Sequence, residues 1–146
     1  MAEPFVYDKA RYHYEGTYPK ELPEEQAFVH TGFYLGWIID HQLYSDEFRD
    51  ESAELITRYT AREITGAEVY ESWDGCLLDT MLNDEGNAFS RAYFDFDHGQ
   101  FLADYVELLG GDLPTLYHVT NSWENYERLR VRLDQRFEEW RRSANR

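Results

Sequence analysis

The sequence predicts a mainly α fold: a single compact helical domain of five to seven helices around a buried central helix, with an irregular or short-strand N-terminal arm. Three observations carry this expectation. Residues 23–43 place apolar side chains on nearly every face of a helix, the signature of an enclosed helix. Helix-start patterns recur, at Pro23-Glu24-Glu25, at Ser45-Asp46-Glu47 and at Asn121 with Glu124. Near the end, Trp123, Tyr126, Leu129, Leu133, Phe137 and Trp140 fall at three- and four-residue spacing. The length, 146 residues, fits one domain. That domain divides into an aromatic arm (1–22), a helical body (23–142) and a short tail (143–146).

In the arm, Tyr12, Tyr14 and Tyr18 cluster with Pro4, Gly16 and Pro19, and Arg11 to Tyr14 alternates as a short strand would. Pro23 opens the central helix, with Glu24 and Glu25 complementing the positive end of its dipole. Gly32 and Gly36 lie four apart on this helix, a spacing that lets another backbone approach closely. A second helix is expected from Ser45 to about Thr65-Gly66, with Phe48, Ser52, Leu55, Ile56 and Tyr59 inward. A shorter one covers Ala67 to Ser72, and Trp73-Asp74-Gly75 is a turn. Residues 76–82 are apolar and too short to assign to helix or strand. Asn83-Asp84-Glu85-Gly86 is a turn or a helix start, and Asn87 to Tyr93 is helical. Asp97 is the expected cap of a helix carrying Phe101, Leu102, Tyr105 and Leu109, stopped by Gly110-Gly111. Leu113 to Val119 is a connector, and the last helix runs to near Arg142 with Arg128, Arg132 and Arg136 on one face.

Composition excludes several classes. Twenty-nine acidic against fourteen basic residues give a net charge of −15, wrong for a generic nucleic-acid binder. An aromatic content of 17% is too high for a disordered acidic tail. One cysteine, Cys76, makes no internal disulfide and no cysteine-rich zinc site. The start carries no basic segment followed by an apolar run, so a cytoplasmic protein without membrane association is expected. Charge is also segregated. Residues 128–146 hold seven arginines and three acids, a balance of +4, whereas residues 1–127 stand at −19.

Several strings resemble a small bacterial family of unknown function. They are Tyr7-Asp8-Lys9, His13-Tyr14-Glu15-Gly16, Leu22-Pro23, His30-Thr31-Gly32 with Leu35-Gly36-Trp37, Asp74-Gly75, Asn83 to Gly86, Asp104-Tyr105, Tyr117-His118-Val119 and Trp123 to Tyr126. The resemblance spans nearly the whole chain. Its loose association with genes near interbacterial toxins implies an immunity-type role and supplies no catalytic residue.

Three functional readings follow. The first is an acidic protein-binding module, an immunity protein that occludes the active site of a toxin or nuclease-like partner with a basic surface. Its contacts would be Trp73, Asp74, Asp84, Glu85, Asp95 and Asp97, which sit on expected turns and caps. The second is a small hydrolase or ligand-binding enzyme with a pocket of Tyr12, His13, His30, Tyr34 and Trp37. The third is a nucleic-acid mimic that inhibits a DNA-binding protein.

No cofactor and no metal ion are expected. His30, Tyr34, Trp37 and His41 share a helix stripe, but eleven residues at 1.5 Å each set the two histidines roughly 16 Å apart, too far to share one ion. Asp95-Phe96-Asp97-His98 groups possible ligands without the spacing of a calcium loop. Cys76 sits between Asp74 and Asp79, whose negative charges do not favour a thiolate, so packing is favoured over nucleophilic use with His13, His30, His98 or His118. Neither a phosphate-binding glycine loop nor a Gly-x-Ser-x-Gly elbow is present.

Overall fold

A computed structural model describes residues 3–144. The N-terminal arm is ordered. Strand β1 (Val6–Lys9) pairs antiparallel with β2 (Cys76–Leu78), and helix α1 (Arg11–Tyr14) follows immediately. The strand therefore lies before the alternating Arg11–Tyr14 segment, which is itself helical. The expected short strand there gives way because long-range pairing with β2 decides where the extended segment lies. The register shifts between Val6 and Asp8, and Asp8 is the one residue of β1 that is fully buried.

The central helix is shorter than its apolar span. Glu24–Phe28 form a 3₁₀ segment, and α2 runs Val29–Asp40. Every residue of α2 except Asp40 is buried. Helix α5 (Gly66–Ser72) crosses it at the glycines. A Cβ on Gly32 would lie 2.5 Å from Ala67 Cα, and one on Gly36 would overlap the Tyr59 ring. The expected close approach at Gly32 and Gly36 is thus present. Its partner is a third glycine, Gly66, whose added Cβ would strike the Gly32 carbonyl.

The expected 45–65 helix is two helices, α3 (Asp46–Glu51) and α4 (Ala53–Thr60). They break at Ser52, whose hydroxyl accepts the Trp73 indole N–H at 2.9 Å. Splits of this kind raise the α-helix count among the described residues to eight. Asn83 caps α6 (Asp84–Tyr93), its side chain accepting from the Gly86 N–H at 2.7 Å. Asp97 caps nothing. Helix α7 (Phe101–Tyr105) starts four residues later, and Asp95 instead accepts from the Asp97 and His98 backbone. The chain continues as a π-helical turn to Gly110 and reverses at Gly111, φ +42°.

Helix α8 (Trp123–Ala144) is capped by Ser122 rather than Asn121, since Asn125 N–H donates to Ser122 Oγ at 3.2 Å. Asn121 reaches across to Thr65 Oγ1. The full capping box belongs to Thr65 and Glu68 at the start of α5. The arginine face of α8 turns inward. Arg132 and Arg136 converge on Asp104, which is 2% exposed, and Arg128 reaches the Leu108 carbonyl. No helix among the described residues is long and apolar enough to cross a membrane.

Candidate active site

Asp8 of β1, His13 of α1 and His30 of α2 meet between the arm and the central helix. The bulged pairing of β1 turns the Asp8 carboxylate inward. Its Oδ2 accepts from Thr31 Oγ1 at 2.6 Å and more distantly from Tyr70 Oη at 3.5 Å. Its Oδ1 lies 2.8 Å from His13 Nε2. A carboxylate only accepts, so Nε2 carries the imidazole proton. In the neutral ring His13 Nδ1 then accepts from the Tyr117 hydroxyl at 2.7 Å.

His30 stands against this chain without joining it. Its ring meets that of His13 edge-on, with centroids 4.6 Å apart, and Phe96, Tyr105 and Tyr117 enclose the remainder at 5.9–6.2 Å. The residue is 1% exposed, and among the described residues neither ring nitrogen has a hydrogen-bond partner. Nε2 lies 3.7 Å from Asp8 Oδ2, beyond hydrogen-bond length. Burial pushes the imidazole pKa down to about 4; the Asp8 charge opposes that shift and His13 adds to it. His30 is therefore neutral at pH 7. Burial, and secondarily Asp8, raises the Tyr70 and Tyr117 hydroxyls, so both remain donors.

The expected connector covers the cluster. Gln26 Nε2 donates to the carbonyls of Tyr117 and Val119, at 2.8 and 3.0 Å. His118 bridges Thr115 and Glu21, and the Tyr18 ring lies 4.9 Å from that of Tyr117. His13 keeps 15% of its side chain exposed, so solvent reaches the cluster along that edge.

Of the five residues expected to share a pocket, the structure brings together His13 and His30. Tyr12 is 58% exposed, with Lys9 Nζ 6.0 Å above its ring. Tyr34 is buried and bonded to Ser90, and the Trp37 indole donates to Asp134. His41, at the far end of the stripe, also bonds Asp134. The sequence reading, which expected no metal ion, did not group Asp8 with His13 and His30, whose ligand atoms all lie within 4.8 Å of one another. Tyr117 and Thr31 were missed as well. The Asp8-x₄-His13 spacing alone does not distinguish a site from an ordinary turn.

The expected partner contacts are distributed differently. Trp73 is half-buried, stacked on Phe48 at 5.2 Å. Glu85 pairs with Arg141, and Asp95 is engaged by its own turn. Asp74, Asp84 and Asp97 are exposed, Asp74 at φ +57°. The Cys76 thiol lies 3.7 Å from the Asp74 carbonyl.

A family described as a domain of unknown function, DUF7832, matches residues 6–119. No curated protein and no solved structure matches the chain. The matched segment contains Asp8, His13, His30, Thr31, Tyr70 and Tyr117, and it ends before α8. Because the match covers most of its length, the chain belongs to the DUF7832 family.

Proposed function

We propose that the protein is a small ligand-binding enzyme whose working centre is Asp8, His13 and His30 under the Tyr117 connector. One observation carries this reading: a fully buried imidazole with both nitrogens unpartnered, set beside a carboxylate and a second histidine. Leaving a buried polar group unsatisfied costs about 1–3 kcal/mol, and a packed core gains nothing from it. A binding site gains a group ready to meet a ligand. The test is to replace His30 with leucine and measure stability. A centre kept for ligand binding gives a variant at least as stable as the parent. A centre kept for packing gives one destabilised by about 2 kcal/mol, as shape changes in a well-packed core do.

A second reading, an acidic module that binds a basic partner in the manner of an immunity protein, has separate support. The arginines of α8 are largely spent internally, on Asp104, Glu85 and the Leu108 carbonyl. Across residues 46–72 the eight carboxylates are all exposed, against three arginines. Two of those arginines, Arg49 and Arg62, already pair with Asp46, Asp50 and Asp40. A partner recognised in this way loses affinity steeply as salt rises. Affinity that holds between low and high salt counts against the electrostatic mode.

A further inference from the structure

We infer that Asp8, His13 and His30 bind a divalent transition-metal ion, of the zinc class, through one carboxylate oxygen and two imidazole nitrogens. This rests on the reading of the cluster as a ligand-binding centre and names its ligand. The donor set is the first argument. Two imidazoles and a carboxylate suit zinc and its first-row neighbours. Metal–ligand bonds of about 2.0–2.1 Å in a tetrahedron place ligand atoms roughly 3.3–3.4 Å apart. Asp8 Oδ2 lies 3.0 Å from His13 Nε2 and 3.7 Å from His30 Nε2, values that straddle this edge length.

Charge is the second argument. Asp8 is 3% exposed, and among the described residues no lysine or arginine pairs with it. Its hydrogen-bond donors are the hydroxyls of Thr31 and Tyr70 and the ring of His13. A buried carboxylate facing only hydroxyls and imidazoles has no permanent cation beside it, and a divalent ion supplies one. His30 Nε2, buried and unpartnered, is an unused lone-pair donor at the same spot.

The surrounding groups fit the same role. Ligating side chains are normally held by outer hydrogen bonds, as Thr31 holds Asp8 Oδ2 and Tyr117 holds His13 Nδ1. When His13 ligates through Nε2, its proton moves to Nδ1, and the Tyr117 hydroxyl changes from donor to acceptor. A hydroxyl serves in both states. Three protein ligands leave a position for water or substrate, the arrangement of catalytic rather than structural zinc. The Tyr105 hydroxyl, on a ring 6.1 Å from that of His30, is likewise buried and unpartnered.

The experiment uses the full chain stripped with a chelator. It is titrated with Zn²⁺ against a chromophoric competitor, and with Co²⁺ followed by visible absorption. The expected result is one tight equivalent and an intense four-coordinate cobalt band. Asp8→Asn, His13→Gln and His30→Leu should each weaken binding by more than about 100-fold, since loss of an outer-shell partner alone costs 10–100-fold. Urea melts of the same variants establish that they fold. Wild-type affinity no greater than that of the His13→Gln/His30→Leu double variant overturns the inference. If His30→Leu is then still as stable as the parent, the ligand-binding centre stands with a different ligand. If it is strongly destabilised, both readings fail.

Discussion

Replacing His30 with leucine separates a working centre from a packed core, and the structure sets the size of the effect. Leucine removes two ring nitrogens that are buried without partners, a gain of about 1–3 kcal/mol. It also removes the edge-on contacts to His13, Tyr105 and Tyr117, a loss of roughly 0.5–1.5 kcal/mol. The net at pH 7 is a stabilisation of about 1 kcal/mol. Acid enlarges it. The His30 pKa falls from 6.5 in the unfolded chain to about 4 in the fold, so between those values the unfolded state binds the extra proton. Wild-type stability therefore drops as pH falls through this window, by about 3 kcal/mol in all at 1.36 kcal/mol per unit. The variant has no such group. Its advantage should grow to about 3 kcal/mol at pH 5, roughly 6–12 °C in Tm for a domain of this size. Urea denaturation of metal-free protein at pH 7 and pH 5 reads both numbers. A variant less stable than wild type at pH 7 that keeps the same acid slope refutes the reasoning, because it would show His30 to be a satisfied core residue.

Other perturbations test the surrounding structure. Gly36→Ala drives a Cβ into the Tyr59 ring where α4 packs on α2 and should cost about 3 kcal/mol in a chemical melt. Tyr117→Phe keeps the ring over the cluster and deletes the hydroxyl on His13 Nδ1. It should lower stability by only about 1 kcal/mol yet weaken zinc binding 10–100-fold, measured by chelator competition.

Much of the fold is legible in the sequence where one local constraint decides the structure. An apolar surround buries α2, the Gly32/Gly36 spacing admits α5, Asn83 caps α6, and Gly110-Gly111 ends the helical run after α7. Competing local choices were decided by distant partners. Ser52 leaves its helix to meet Trp73, and β1 forms at Val6–Lys9 because Cys76–Leu78 is there to pair with it. Ser122 takes the cap position that Asn121 resembles, while Asn121 turns to Thr65. The candidate site was half legible for the same reason. His13 and His30 were visible as polar residues among aromatics. Their convergence on Asp8, and Tyr117's placement above them, depend on a sheet pairing and a connector that local periodicity does not encode. Tyr34 and Trp37 share a helix stripe with His30, but the stripe is long enough for its members to meet different neighbours, Ser90 and Asp134.

The two buried aspartates carry the same distinction to a quantitative end. Asp104, 2% exposed, has both oxygens filled by Arg132, Arg136 and the Tyr93 hydroxyl. Burial would raise its pKa, but the hydrogen bonds from Arg136, Tyr93 and Arg132 outweigh it and hold the carboxyl low. Its contribution is present above the unfolded pKa near 4 and is lost as pH falls through the lower folded value, so it adds an acid-unfolding limb below that of His30. Asp8, as deeply buried, is held by two hydroxyls and an imidazole. Asp104→Asn leaves two arginines facing a neutral amide and should cost about 3–5 kcal/mol. Asp8→Asn removes a carboxylate that no guanidinium or ammonium balances, and the His13 tautomer can reverse to accept from the new amide. It should change metal-free stability by less than about 1 kcal/mol while abolishing zinc binding. Parallel urea melts and metal titrations of the two variants measure the contrast. Equal losses of stability would place Asp8 with Asp104 among the residues that hold the fold together, and the cluster around it would then be scaffold.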